Sequence, residues 1–162
     1  MGLAIAFWIL AAVAIIAALV VVFLTNAFRA ALSLILCFLA VAGLYVTLSA
    51  DFLAAVQVLI YVGAISVLLI LAIMMTREIQ QGNPGNRLQT PAFFMAITLL
   101  GVLIYALTMT PWQISSTPPL EPTTAALGLK LLSRGGFVLP VEIAAVLLLA
   151  AVLGAIVIAR EK

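Results

Sequence analysis

The sequence predicts an all-α, polytopic integral membrane protein with five transmembrane helices, and three observations support this prediction. Of its 162 residues, 67% are hydrophobic and only 7% are charged, whereas a soluble domain carries roughly 25% charged residues. The apolar residues form five stretches, each long enough as a helix to cross a bilayer core of about 30 Å. None of the stretches shows the short alternating strands of a membrane β-barrel. We therefore predict one membrane domain comprising the whole chain, residues 1–162.

The five helices are predicted from apolar stretches bounded by polar or turn-forming residues. The first lacks the basic start of a signal peptide and is too long for one, so we interpret it as a retained helix. Very short connections follow the first and second stretches, which predicts that the first three helices pack as antiparallel neighbours. A short interfacial helix is predicted at 124–133. The predicted spans cover about residues 3–24, 30–49, 52–75, 91–109 and 141–159.

The basic residues predict how the chain is oriented in the membrane. Five spans place the two termini on opposite sides, and the basic residues divide unequally between those sides. The positive-inside rule assigns the richer side to the cytoplasm, so the N-terminus is predicted outside and the C-terminus inside. The richer side would hold Arg29, Arg77, Arg87, Arg160 and Lys162, and the other side Lys130 and Arg134.

Composition also excludes several functions. The net charge is only +2 and the basic residues are scattered, which argues against nucleic-acid binding. Histidine is absent and Cys37 is the only cysteine, so the chain alone does not supply the usual ligands of haem or an iron–sulfur cluster. We interpret Cys37 as a buried structural thiol within an apolar stretch.

The third stretch contains residues that do not suit a plain lipid-facing anchor. It is uncharged from Phe52 to Thr76, yet it includes Gln57, Tyr61 and Gly63, together with a nearby serine. Polar atoms at membrane depth require partners, and a glycine inside a helix costs about 1 kcal/mol relative to alanine. Two interpretations remain open: ordinary contact with another helix, or a helix that can change its local winding.

Helical spacing suggests which side of this stretch meets a neighbour. With an α-helical period, Gln57 and Tyr61 share a face with Ile65 or Leu68. We therefore expect the polar groups on this face to contact another helix.

Two carboxylates lie at the predicted outer edge of the membrane. Asp51 begins the third stretch, and Glu142 follows Pro140 at the start of the fifth. Each can be an N-terminal helix charge, which the helix dipole favours by about 0.3–1 kcal/mol, and proline suits a first helical turn. The alternative is a polar contact with a neighbouring subunit. Because neither lies at the membrane centre, a self-contained proton pump is disfavoured.

Two segments resemble a known family. Residues 57–68, Gln-Val-Leu-Ile-Tyr-Val-Gly-Ala-Ile-Ser-Val-Leu, resemble the third-helix signature of subunit J of the proton-pumping NADH–quinone oxidoreductase, respiratory complex I. That family includes the mitochondrial NADH dehydrogenase subunit six. The segment Ala126-Leu-Gly128 and the later run 139–157, with its Pro-x-Glu entry and Gly-Ala-Ile exit, resemble the family's fifth helix. One departure is Val141, where the family often has an aromatic residue.

The resemblance implies a membrane-arm subunit without a redox centre or catalytic residue of its own. The family's third helix contains a π-bulge near the positions of Tyr61, Val62 and Gly63. Moving one residue out of such a bulge rotates the adjoining helix by about 100°, which could open or interrupt a water path. Gln57, Asp51 and Glu142 would supply polar contacts.

The resemblance also implies the surroundings of the chain. FMN, iron–sulfur clusters and quinone would be bound by other subunits, and the partners would include the quinone-site and antiporter-like subunits in a bacterial inner membrane. The alternative function is a stand-alone small membrane transporter whose polar third helix lines its path. A third option keeps the assembly but makes the chain a static scaffold.

Overall fold

The computed structural model describes residues 1–76, 88–112, 123–133 and 135–160, and within these ranges every regular element is a helix. Five helices are long and apolar enough to cross a membrane, which confirms the predicted fold class. A shorter helix lies where an interfacial one was predicted. The helices are α1 (Gly2–Phe23), α2 (Ala27–Thr47), α3 (Asp51–Met75), α4 (Gln89–Met109), α5 (Thr123–Leu132) and α6 (Val138–Ala159).

The helix ends differ from the predicted ends by at most three residues, and one of these differences has a clear cause. Helix α2 begins at Ala27 rather than at residue 30 because Asn26 caps it. The side-chain oxygen of Asn26 accepts a hydrogen bond of 3.2 Å from the backbone N–H of Arg29. Asparagine is a favoured N-cap because it satisfies a backbone donor that the helix leaves free.

Helices α1 and α2 pack closely through small residues. The hydroxyl of Ser33 donates a hydrogen bond of 2.9 Å to the carbonyl of Ala17 across the interface. Gly43 faces Leu10, and a β-carbon at this glycine would lie 2.9 Å from a terminal methyl of that leucine. Small side chains let helix backbones approach within a membrane, where van der Waals packing drives helix association. The buried residues of this pair are Ala17, Ala31, Ala40 and Ala42.

Cys37 also lies between α1 and α2. Its thiol is 3.6 Å from the carbonyl oxygen of Ala14, and the residue is half-buried rather than buried. The thiol therefore lies between two packed helices, but it is half-buried rather than buried as predicted.

A tight turn directs the chain from α2 into α3. Ser49 adopts a positive φ of 57°. The N–H of Ala50 bonds to the carbonyl of Tyr45 at 2.9 Å, and the N–H of Ser49 bonds to that of Val46 at 3.1 Å. This is a Schellman-type helix end, with serine in the left-handed position that glycine usually occupies. It allows α3 to begin at Asp51 and to pack along α2.

The chain divides into two compact units, Met1–Pro118 and Pro119–Lys162. The first contains α1 to α4, and α2 contacts both α1 and α3. In the second, α5 meets α6 through a turn in which the N–H of Phe137 bonds to the carbonyl of Lys130 at 3.0 Å. A β-carbon at Gly136 would overlap that carbonyl oxygen, so this position requires glycine. The single membrane domain stays a prediction.

The predicted orientation is untested by these helices. Arg29 lies in the first turn of α2, Lys130 lies in the last turn of α5, and Arg160 directly follows α6. These positions are at helix ends, as the prediction requires. The other four basic residues that entered the prediction lie outside the described residues: Arg77, Arg87, Arg134 and Lys162.

Candidate functional site

Helix α3 changes its winding in the middle of its length. It is α-helical over Asp51–Val56, π-helical over Gln57–Ile65 and α-helical again over Ser66–Met75. In a π-helix, each backbone N–H bonds to the carbonyl five residues back rather than four. The predicted widening of the third helix is confirmed, and the segment of nine residues extends beyond the predicted Tyr61-Val62-Gly63.

The π-helical segment determines which side chains of α3 face inward. Gln57 and Ser66 are both buried, at 8% and 1% exposure. Their separation of nine positions is about two and a half α-helical turns, which would place them on opposite sides. A π-helix holds roughly one more residue per turn, so the same separation is about two turns and both residues face the same way. Ile73, about two α-turns beyond Ser66, continues this buried stripe.

Gln57 and Tyr61 both contact Phe38 on α2. The side-chain amide of Gln57 lies 3.5 Å from the carbonyl oxygen of Phe38, the long limit of a hydrogen bond. The rings of Phe38 and Tyr61 meet edge to face, with centroids 5.4 Å apart and planes at 63°, a favoured aromatic geometry. The expectation that this polar face meets another helix is confirmed for the Gln57 amide, and α2 is that helix. Tyr61 contacts α2 through its ring and is 42% exposed.

Ile65 and Leu68 do not continue the buried side of Gln57, although the α-helical spacing predicted that they would. These side chains are 45% and 64% exposed, whereas Ser66 is the most buried side chain of the helix. The error has a physical cause, because an α-helical period was applied across a segment that is π-helical. The nine-residue spacing between two polar residues, Gln57 and Ser66, was the sequence signal that could have identified the change of register.

Gly63 lies within the π-helical segment and suits its crowded backbone. A β-carbon at this position would lie 3.3 Å from the carbonyl oxygen of Val58, five residues back. That distance is shorter than ordinary van der Waals contact, so the carbonyl would have to move by a few tenths of an ångström. Glycine therefore removes a steric contact that the π register would otherwise impose.

Ser66 closes the π-helical segment. Its hydroxyl donates a hydrogen bond of 2.5 Å to the carbonyl of Tyr61, and its backbone N–H is shared between that carbonyl and the carbonyl of Gly63. A carbonyl oxygen has two lone pairs and can accept both bonds. Sequence reasoning noted this serine as polar but did not place it in the site.

The two edge carboxylates have different outcomes. Asp51 is exposed in the first turn of α3, the position that was predicted; both its interpretations, as a helix charge and as a contact with a neighbouring subunit, stay predictions. The first-turn interpretation of Glu142 is wrong, because α6 begins at Val138 and has no acidic residue in its first turn. Glu142 is the fifth residue of α6 and is exposed. Pro140 is therefore accommodated at the third helical position, where its missing N–H still costs no helical hydrogen bond.

The arrangement in α3 is suited to a conformational change rather than to binding a metal ion. Across the described ranges, no group of three or more His, Cys, Asp or Glu side chains could hold a metal ion. What the segment Gln57–Ile65 offers is a second backbone register, since π-helical turns inside α-helices are commonly found at functional sites. Conversion to α-helix would rotate everything beyond Ser66.

Comparison with known proteins identifies similar chains. The sequence model of the family described as NADH-ubiquinone/plastoquinone oxidoreductase chain 6 matches residues 17–158. The chain is 44% identical to NAD(P)H-quinone oxidoreductase chain 6 of Synechocystis sp., over 97% of this chain and 80% of that protein. It is 41% identical to the chloroplastic NAD(P)H-quinone oxidoreductase subunit 6 of Nephroselmis olivacea, over 88% of this chain and 83% of that protein.

A further relative has a different electron donor in its name. The chain is 36% identical to F(420)H(2) dehydrogenase subunit J of Methanosarcina mazei, over 96% of this chain and 90% of that protein. Relatives named for two kinds of donor are thus similar to nearly the whole length of this chain.

Proposed function

The chain belongs to the NADH-ubiquinone/plastoquinone oxidoreductase chain 6 family, and we propose that it is a non-catalytic membrane-arm subunit of a complex I-type enzyme. In this role it supports assembly and couples quinone reduction to proton translocation. The observation that supports the coupling role most directly is the π-helical segment Gln57–Ile65 in a helix long enough to cross the membrane.

The proposed coupling step is a change of register in α3. When the π-helical segment converts to α-helix, its turn loses one residue to the adjoining helix. Ser66–Met75 then rotates by about 100° relative to the segment before it. The rotation replaces the side chains that face the neighbouring subunit, and it thereby connects or interrupts a water path. Gly63 and the Tyr61–Val62 peptide lie within the π-helical segment, and Gln57 holds the fixed end against α2 through Phe38.

The donor names of the relatives support a role away from electron input. Proteins named for NAD(P)H and for F(420)H(2) are similar to this chain over nearly all of its length. A subunit shared between such enzymes need not recognise the donor. In the proposal, FMN, iron–sulfur clusters and quinone are bound by other subunits, and the enzyme that they form with this chain is a proton-translocating quinone oxidoreductase.

The exposed surfaces of two helices support a position among partners. Helices α4 and α6 contain no buried residue over their lengths, so their apolar side chains are free to be covered by lipid, by other proteins or by other parts of this chain. We propose that the quinone-site and antiporter-like subunits cover part of them, in a bacterial inner membrane. Asp51 and Glu142 would make polar contacts at the outer edge, with the N-terminus outside and the C-terminus in the cytoplasm.

Co-purification tests the proposed assembly against the alternative of a stand-alone transporter. An affinity tag on the chain should recover the redox subunits in mild detergent, together with quinone reductase activity. Recovery of the chain only as a small homo-oligomer would defeat the proposal and favour a transporter whose polar third helix lines a path.

A second experiment separates coupling from a static scaffold. A Gly63→Leu substitution places a bulky side chain against the Val58 carbonyl and should reduce proton translocation per quinone reduced. Intact assembly with unchanged proton translocation would remove the coupling role while leaving the subunit assignment in place.

A further inference from the structure

We propose that Ser66 is a positioning residue that holds α3 in its π-helical register, and that its hydroxyl changes partner from the Tyr61 carbonyl to the Val62 carbonyl when the register changes. The functional consequence of this inference rests on the proposed coupling role of α3. The structural part does not, because it concerns only the equilibrium between two backbone registers.

The hydrogen bond of Ser66 differs in span from those of the other helical hydroxyls. Five threonine hydroxyls in the described residues bond to a carbonyl of their own helix three or four residues back. That is the usual range for serine and threonine in an α-helix. The Ser66 hydroxyl reaches five residues back, to Tyr61. The five threonines are Thr47, Thr76, Thr98, Thr108 and Thr110.

The span of five residues fits only the π register. The hydroxyl of Ser66 donates to the Tyr61 carbonyl, and the Ser66 backbone N–H donates to the same carbonyl and to that of Gly63, three residues back. In an α-helix, the N–H of Ser66 would bond to Val62, and the hydroxyl would have Val62 or Gly63 within its ordinary reach. The two bonds to Tyr61 therefore form together and are lost together when the register changes.

The burial of Ser66 gives a second and independent reason. The residue is 1% exposed, so its hydroxyl must find a partner inside the protein. It lies in the buried stripe with Gln57 only because the π-helical segment brings the two residues into phase. A one-residue change of register rotates Ser66 by about 100° away from that stripe. The hydroxyl therefore links the position of the side chain to the register of the backbone.

Removal of the hydroxyl should shift the equilibrium towards the α register. The hydroxyl has usual α-helical partners in that register as well, so the difference between registers is at most the net value of one hydrogen bond. That corresponds to an increase of up to about fivefold in the ratio of α to π register. Ser66→Ala retains the size of the side chain apart from one oxygen and so isolates this effect.

The test uses the intact enzyme complex purified with each variant. Single-particle structures, classified on α3, give the fraction of particles in which the Ser66 N–H bonds to Val62 rather than to Tyr61. Ser66→Ala should raise this fraction, and Ser66→Thr, which keeps the hydroxyl, should restore the wild-type value. Ser33→Ala is the matched control, because it removes a hydroxyl that bonds across helices to Ala17 without marking any register. It should leave the fraction unchanged.

A companion variant keeps the test decisive if Ser66→Ala does not assemble. Ser66→Cys fills the same space with a weaker donor and should shift the register in the same direction by a smaller factor. An unchanged register in both Ser66→Ala and Ser66→Cys would overturn the proposal, as would an equal shift in Ser33→Ala.

Proton translocation measured on the same samples separates this inference from the proposed function. If Ser66→Ala shifts the register and lowers the number of protons moved per quinone reduced, both proposals are supported. If the register shifts while that number is unchanged, Ser66 still holds the register but α3 does not couple the reaction.

Discussion

Gly63→Ala should weaken the π register of α3 without weakening the helix itself. In the π-helical segment, the added β-carbon would lie 3.3 Å from the Val58 carbonyl oxygen. Only backbone atoms make this contact, so no side chain can rotate to relieve it. The Val58 carbonyl must therefore move by a few tenths of an ångström. This carbonyl belongs to the π-helical segment, in which carbonyls accept hydrogen bonds from the N–H five residues further along.

The expected magnitude follows from the size of this conflict. Adding a carbon to a packed site costs typically 1–3 kcal/mol, and a displacement this small belongs at the lower end, about 1 kcal/mol. Alanine also favours a helix over glycine by about 1 kcal/mol. We expect that gain to be similar in the two registers, because both are helical. The remaining difference changes the ratio of registers by about fivefold towards α.

The matched control is Gly101→Ala in α4. It has the same gain in helix propensity, and its β-carbon would meet no atom within 4 Å among the residues that the structure describes. Both variants should be measured in the intact complex reconstituted in liposomes. A pH-sensitive dye reports proton translocation, and the absorbance of the quinone reports electron transfer.

The expected result is a selective loss of coupling. Gly63→Ala should lower the number of protons moved per quinone reduced and raise the fraction of particles with an α-helical α3, while Gly101→Ala should match the wild type in both. Equal behaviour of the two alanine variants in both measurements would refute the link between the Val58 contact and the register.

Three further predictions concern the scaffold around α3. Gly43→Ala should destabilise the α1–α2 pair by about 1 kcal/mol, since its β-carbon would meet a methyl of Leu10 at 2.9 Å; Leu10→Ala should remove the added cost, and a double-mutant cycle of thermal stability checks this. Gly136→Ala should cost more than Gly43→Ala, because the obstacle is the Lys130 carbonyl rather than a flexible side chain; limited proteolysis between α5 and α6 measures the loss. Asn26→Ala should cost about 1 kcal/mol through loss of the cap of α2 and Asn26→Asp should retain the cap; a result with equal midpoints of thermal inactivation for the two would contradict the capping role.

The fold could be predicted because it depends on the composition of long stretches of the chain. Stretches of about 20 apolar residues identify membrane helices without any knowledge of packing, and all five were identified. The start of α2 was missed by three residues because the Asn26 cap was not weighed. The start of α6 was also misplaced, since Pro140 was taken to mark the first turn, although a helix accepts proline at any of its first positions.

The site was only partly predictable, because its central feature is a change of period. Gln57, Tyr61 and Gly63 are unusual within a membrane span and were identified for that reason. Ser66 was missed as their partner because the α-helical period assigns it to the opposite side from Gln57. The resemblance to a family supplied the expectation of a bulge, but the exposed fractions of Ile65, Leu68 and Ser66 were needed to show its consequence.

The contacts of α3 within this chain suggest that neither register is strongly preferred. Of its 25 residues, four are buried: Ala54, Gln57, Ser66 and Ile73. Rotation of Ile73 into lipid costs little, since lipid tails are as apolar as a protein interior. The Gln57 amide stays on the fixed side, so the main difference between registers is the change of partner of the Ser66 hydroxyl, worth at most one hydrogen bond, about 0.5–1.5 kcal/mol.

A difference of that size cannot by itself make a switch. To move an equilibrium from 1:99 to 99:1, the surroundings must favour one state over the other by about 5.5 kcal/mol. Since most of α3 is exposed within the chain, that energy must come from the subunits that cover it in the assembled enzyme. We therefore expect α3 of the subunit alone in lipid to occupy both registers, and that of the complex to occupy mainly one in each state of the quinone site. Amide hydrogen exchange from residue 57 to residue 66 tests this: exchange as slow in the isolated subunit as in the complex would show that the chain fixes its own register.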